Sequence, residues 1–146
     1  MLSEEGQPFT TGLCKYYDGI EADESGDSKL FIAVKLGTLE TPILAMVDTG
    51  APFCIFEPEI LAELGYSFEV DRAIRLSTRR GPKLGSPDRI PITFIANEGK
   101  SLEVESTVFV TVDWKGNFIG FMGCLQRLRF AIDPSANSFH FGEMPS

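Results

Sequence analysis

"PILAMVDTGAPF", residues 42–53, is an apolar run that stops on an acid. Ile43 to Val47 fit a buried strand, and Asp48, Thr49 and Gly50 end it with turn chemistry. Aspartate and glycine end many strands, so the tripeptide alone says only that the chain turns here. Its setting says more. Ala51 and a second apolar run, "PFCIF", follow at once, so the carboxyl group sits between two segments that favour burial.

Outward from this point, "KLFIAVKLGT" is a strand candidate closed by a Gly-Thr turn, so two strands lead into Asp48. Downstream, "EPEILAELGY" has Glu and Pro at its start, Leu61 and Leu64 on one side and Gly65 at its end, which predicts one short helix. "FEVDRAIRLST" alternates, "TRRGPKLGSPDR" is a basic Gly/Pro tip, and "IPITFIANEGKSLEVESTVFVTVD" predicts two long strands joined at Asn-Glu-Gly. "FIGFMG" is an apolar run punctuated by two glycines, and "CLQRLRF" fits a short helical segment. "FAIDPSANSFHFG" then reads as strand, Asp-Pro turn, strand. The order is mostly β with one or two short helices, and this strand density predicts a small closed or sandwich-like barrel. Residues 1–29 read as an N-terminal arm carrying the acidic loop "DGIEADESGDS", and residues 30–146 as the organised domain.

With 146 residues, 43% hydrophobic and 23% charged, the chain suits one domain with a real core. Its formal net charge of -8 repels phosphate backbones and anionic membranes, which argues against nucleic acid or a membrane surface as partner. No apolar run approaches the roughly 20 residues that span a bilayer. "MLSEEGQPFTTG" has neither the positive flank nor the apolar centre of a secretory leader, so a cytoplasmic location is expected. Cys14, Cys54 and Cys124 are odd in number and scattered, with no C-x-x-C pair, which predicts buried thiols instead of disulfides or a zinc site. His140 is the sole histidine. Any Ser-His-Asp or Cys-His chemistry must use it, yet it stands in the strand-like "SFHFG" with no nucleophile signature elsewhere. No Gly-rich phosphate motif is present, and no cofactor is expected.

Taken with a later apolar-apolar-Gly element, Phe121-Met122-Gly123, and Leu125, Leu128, Phe130 and Asp133 behind it, the Asp48 segment resembles the retropepsin-like aspartic proteases. These are single-lobe relatives of pepsin. The resemblance runs from about Leu30 to Gly142 and is most specific in "AMVDTGA" and "FMGCLQRLRFAID". It implies a closed β-barrel of the acid-protease type, with Asp48 as the catalytic residue in an active-site loop of Thr49, Gly50 and Ala51. It further implies that Thr49 bonds across a dimer axis and that Gly50 lets backbone approach the carboxylate. Phe121, Met122 and Gly123 would pack through and under that loop. The hairpin tip, Arg80, Gly81, Pro82, Lys83, Leu84 and Gly85, would be a flap over a polypeptide substrate. Pro52 and Phe53 stand where many members carry small or acidic polar residues.

Hydrolysis of a peptide bond without metal or covalent intermediate needs one carboxylate to deprotonate water and a second, protonated one to donate to the carbonyl oxygen. Two carboxyls about 3 Å apart share one proton, because both cannot ionise together. One Asp-Thr-Gly in a chain long enough for a single lobe therefore implies a homodimer. A second reading keeps the fold as a peptide-binding or dimerisation module without catalysis, and a third is a β-barrel holding a small apolar ligand. Outside this motif, Arg79, Arg80, Lys83 and Arg89 read as a solvated hairpin tip, Asp133 as an Asp-Pro turn, and Trp114 as a hairpin edge position.

Overall fold

The computed structural model describes residues 1–18, 30–78 and 81–146. Arg79, Arg80 and all of the acidic loop beyond Asp18 lie outside the described residues. The strands in chain order are β1 (Ser3–Glu4), β2 (Gln7–Pro8), β3 (Gly12–Lys15), β4 (Tyr17–Asp18), β5 (Leu30–Leu36), β6 (Ile43–Asp48) and β7 (Cys54–Ile55). Helix α1 (Pro58–Glu63) follows, then β8 (Ile74–Thr78), β9 (Gly81–Phe94), β10 (Glu98–Gly99), β11 (Leu102–Val110), β12 (Phe118–Gly120), β13 (Leu128–Asp133) and β14 (Ser138–Glu143). Among the described residues α1 is the one α-helix, joined by two 3-10 turns, Val70–Arg72 and Leu125–Arg127. The second helical segment read in "CLQRLRF" is thus a single tight turn, and "LRF" begins β13 instead.

Six strands pair in a ring. β5 runs antiparallel to β6, β6 parallel to β12, and β12 antiparallel to β7. β7 lies parallel to β11, β11 antiparallel to β9, and β9 returns to β5 through Val34↔Phe94 to Leu36↔Ile92. The side chains that fill the ring follow the period of two that a pleated strand imposes. Ile32, Val34 and Leu36 on β5, Ile90, Ile92 and Phe94 on β9, and Val104 and Val108 on β11 are all buried. Each such side chain taken out of water contributes about 1.5–3 kcal/mol, against a folding entropy of similar total size. Phe56, just before α1, and Leu61, inside it, belong to the same core. The helix stops where Gly65 takes φ +87°, a conformation that disfavours side chains.

A second sheet stands beside the ring in the order β10–β3–β14–β13. Its β13–β14 hairpin turns at Asp133, as the Asp-Pro signal predicts, with Asp133 Oδ1 accepting from the backbone N–H and the hydroxyl of Ser135. The segment Gly12–Lys15 pairs with both β14 and β10. Asn-Glu-Gly does more than join β9 to β11: its Glu98 and Gly99 form β10 and hold Leu13 and Gly12 in place. Phe139 and Phe141 of β14 reach Phe94 across the core, with ring centroids 6.1 and 5.7 Å away.

Candidate active site

β6 ends on Asp48, as its sequence predicts, and the pairings around it place the groups that surround the carboxylate. On β6, Met46 and Asp48 are two residues apart and share a face. β12 lies alongside in parallel with Phe118↔Met46 and Gly120↔Asp48 in register, and β7 adds Ile55 opposite Phe118. The result is a cavity of about 300 Å³ whose floor includes Met46, Asp48, Ile55 and Phe118. Pro52 and Phe53 form one rim. Leu76, Ser77 and Thr78 of β8 roof it.

The roof is a hairpin. β8 pairs with the first residues of β9 from Ile74↔Gly85 to Thr78↔Gly81. Gly81, Pro82, Lys83, Leu84 and Gly85 therefore form one arm of a ribbon that projects from the ring, and its other arm covers the cavity. Lys83 sits directly opposite the cavity-lining Leu76, so it shares that face. Ser86 is buried where the ribbon joins the ring and accepts a hydrogen bond from the Glu69 backbone N–H at 2.9 Å, which anchors its base.

The loop after Asp48 is held by its own backbone. Gly50 N–H donates to Asp48 Oδ1 at 3.0 Å, and Ala51 N–H donates to the Asp48 carbonyl at 3.1 Å. One carboxylate oxygen is thereby oriented by an amide dipole, and the carboxyl group remains half-exposed at the cavity. Thr49 is exposed beside it. From the other side, Phe121 N–H donates to the Ala51 carbonyl at 2.7 Å and Gly123 N–H to the Pro52 carbonyl at 2.9 Å. Phe121–Gly123 thus engages the loop through main chain. The side chains of Phe121 and Met122 are 40% and 53% exposed.

Two glycines allow this approach. A Cβ on Gly120 would lie 2.3 Å from the Phe53 carbonyl oxygen, and one on Gly123 would lie 2.6 Å from that of Thr107. Beneath them Cys54 and Cys124 are both fully buried, and Gly120 N–H donates to Cys54 Sγ at 3.4 Å. The two thiols hydrogen-bond each other. That bond, with burial, pushes Cys54 well above the usual thiol range, and the same bond, with Ser106 and Arg127 near, holds Cys124 below it. Burial alone pushes Cys14 up to about 11. All three cysteines are free and buried, matching the expectation from their spacing.

Two further residues complete the site: Phe118, which the sequence did not single out, and Trp114, which reads in sequence as a hairpin edge position and instead stands in the cavity wall. Trp114 lines the cavity, its ring 5.7 Å from Phe118 in an edge-on arrangement. The turn that carries it is fastened by Asn117, whose Oδ1 accepts from Glu57 N–H at 3.1 Å and whose carbonyl accepts from Met46 N–H at 2.8 Å. Glu57 Oε2 accepts in return from Gly116 N–H at 3.3 Å. Phe118 was open to discovery by parity, since it alternates with Gly120 as Met46 does with Asp48. Trp114 carries no such local sign. His140 is buried in β14 opposite Ala131, in the second sheet. A larger depression of about 410 Å³ has a charged lining that includes Arg89, Glu103, Glu105 and Arg127. Its Arg127 is already bound to the Glu105 carbonyl and the Thr107 hydroxyl.

This architecture is that of the retropepsin-like fold. A retropepsin-like aspartic protease from Rickettsia conorii, known from its crystal structure, superposes with a TM-score of 0.58 over 90% of this chain and 92% of its own, at 18% sequence identity. No protein-family model and no curated protein matches the sequence. No helix among the described residues is long and apolar enough to cross a membrane.

Proposed function

We propose that this chain is one half of a homodimeric aspartic endopeptidase of the cytoplasm, with the ring of strands as its closed barrel and Asp48 as the catalytic residue. The observation that carries the proposal is the position of Asp48. It ends β6 at a cavity roofed by a hairpin, with one oxygen held by Gly50 N–H. Two such chains related by a two-fold axis supply the two carboxyls that the reaction requires. The ionised one takes a proton from water as the water attacks the peptide carbonyl carbon, and the protonated one donates to the carbonyl oxygen. The tetrahedral adduct then collapses, and the amine leaves with a proton returned from the dyad. The hairpin covers the substrate and limits competing water. Three free buried thiols suit a reducing compartment.

Incubation with an unstructured protein at mildly acidic pH tests the proposal: cleavage fragments are expected. Tight binding without cleavage would instead support the reading of a peptide-binding module, in which Pro52 and Phe53 at the cavity rim replace the polar contacts of an active enzyme.

The dyad also sets a pH dependence. Only the singly protonated pair has both a base and an acid, so the rate falls at acid pH, where both carboxyls are protonated, and at alkaline pH, where both ionise. Initial rates are expected to trace a bell. A rate that stays flat from mildly acidic to well above neutral pH is incompatible with the mechanism.

Trp114→Ala removes one wall of the cavity without touching the Asp48 loop. For peptide substrates with an apolar side chain beside the cut, KM is expected to rise about tenfold with kcat little changed, the signature of lost ground-state binding. Steady-state kinetics measures the split, and an equal loss in kcat would place Trp114 in the chemistry instead.

A further inference from the structure

The ribbon over the cavity covers a charge where an apolar side chain is expected. Along its β9 arm Pro82 and Leu84 are exposed, Leu84 by 51%, whereas Lys83 between them is half-buried. A lysine covered while the adjacent leucine faces water reverses the usual preference of both side chains. Cross-strand pairing says which way the lysine is turned. Lys83 stands opposite Leu76, directly opposed residues of an antiparallel pair share a face, and Leu76 lines the cavity. Thr78, two residues beyond Leu76, lines it too. The roof thus presents Leu76, Thr78 and Lys83 on one face.

What this face can bind follows from its charges. Among the described residues that line the cavity, Asp48 is the sole carboxylate, and it stands on the floor while Lys83 belongs to the roof. The Lys83 ammonium takes part in no ion pair or hydrogen bond among the described residues, so its charge is uncommitted. The remainder of the floor is apolar, built from Met46, Ile55 and Phe118. An extended peptide lying between floor and roof turns successive side chains to opposite sides. A side chain turned to the floor meets apolar surface, and the next one along meets the roof and its cation. The chain as a whole acts the other way. Its net charge of -8 repels an anionic peptide, so only a local cation can favour one.

We infer that Lys83 is a specificity-determining residue, which selects polypeptides carrying an aspartate or glutamate next to an apolar residue at the cut by pairing its ammonium with that carboxylate. This rests on the endopeptidase reading above and names the substrate that the site prefers. In a two-fold dimer each chain supplies one Lys83, so an acidic side chain on either side of the cut is read. The pair forms beneath the ribbon at a half-buried ammonium, where salt screens it less than it screens a pair on open surface. An arginine at this position would serve the same purpose, and a neutral or acidic residue would not.

Two peptides that differ in one residue, glutamate or glutamine beside an apolar residue at the cut, test the inference. The quantity measured is the ratio of their kcat/KM values with the full chain, at a pH where the glutamate is ionised. Wild type is expected to favour the glutamate peptide about fivefold. Lys83→Met should bring the ratio to one or below, because the overall negative charge is then left to act alone. Lys83→Arg should retain the preference, and Lys83→Glu should reverse it in favour of a peptide with lysine at that position. A ratio taken on one preparation is insensitive to misfolded protein, which lowers both rates alike. Equal cleavage of the two peptides by wild type, or a preference that survives Lys83→Met, overturns the inference. Binding of the same peptides, followed by fluorescence anisotropy, keeps the two proposals apart. A glutamate preference in binding that Lys83→Met removes, with neither peptide cleaved, refutes only the enzyme. Cleavage of both peptides without preference refutes only the role of Lys83, and peptides neither bound nor cleaved refute both.

Discussion

Asp48→Asn is expected to lower kcat/KM for polypeptide hydrolysis by at least about 10⁴-fold while leaving the fold and the dimer intact, because it removes both the base and the acid of the proposed dyad. Asparagine keeps an oxygen at the position that accepts Gly50 N–H, so the loop retains its internal bond. It also removes the repulsion between two facing carboxyls, so the variant dimer should be at least as tight as wild type at neutral pH. The informative measurement is a mixture. If equal amounts of wild-type and variant chains exchange freely, random pairing leaves about one quarter of the dimers with both carboxyls. Activity per total chain should then fall to about a quarter. A fall to one half would mean that each chain works alone, and an active Asp48→Asn homodimer would place the chemistry elsewhere.

Gly120→Ala is expected to cost about 3 kcal/mol of stability, near the upper end for overpacking, and to lower Tm by about 6–12 °C. The added Cβ would meet backbone, with Phe53 oxygen, carbon and nitrogen at 2.3, 2.4 and 2.8 Å. No side chain can swing away to relieve that contact. Either β12 leaves its place beside Asp48 or the Asp48–Phe53 loop moves outward, so activity at a temperature where the variant remains folded should fall as well. Gly81→Ala is the control. It occupies the hairpin tip with nothing within 4 Å, and although its φ of +91° carries a strain cost, the substitution leaves the Asp48 loop untouched. Thermal melts of the two variants, with activity measured below both transitions, make the comparison. A Gly120→Ala protein as stable as wild type would contradict the packing described for this loop.

The strand that ends on Asp48, helix α1 with its Gly65 stop, the hairpin of β13 and β14, and the burial of the three thiols were all legible from local chemistry. Each depends on residues adjacent in the chain: an apolar run, a turn residue, a proline at the first helical position, a period of two. The residues brought to Asp48 from a distance were not. "FIG" and "FMG" are both apolar-apolar-Gly, and nothing local distinguishes them. The parallel pairing of β6 with β12 does, by setting Gly120 beside Asp48 and leaving Phe121 and Met122 exposed. Parallel pairing joins segments that no turn connects, so it leaves no mark between them in the sequence. Trp114 reaches the cavity because Asn117 and Glu57 tie its turn to β6 and α1, and those bonds exist only once the ring has formed. The N-terminal arm looked unspecified for the same reason: Gly12–Lys15 becomes a strand by pairing with β14 and β10, from the far end and the middle of the chain. Sequence by itself thus determined where the carboxyl group stands, at the end of a buried strand. Tertiary structure decided what faces it, because contacts between distant segments are chosen by backbone clearance and register, which no short stretch of residues encodes.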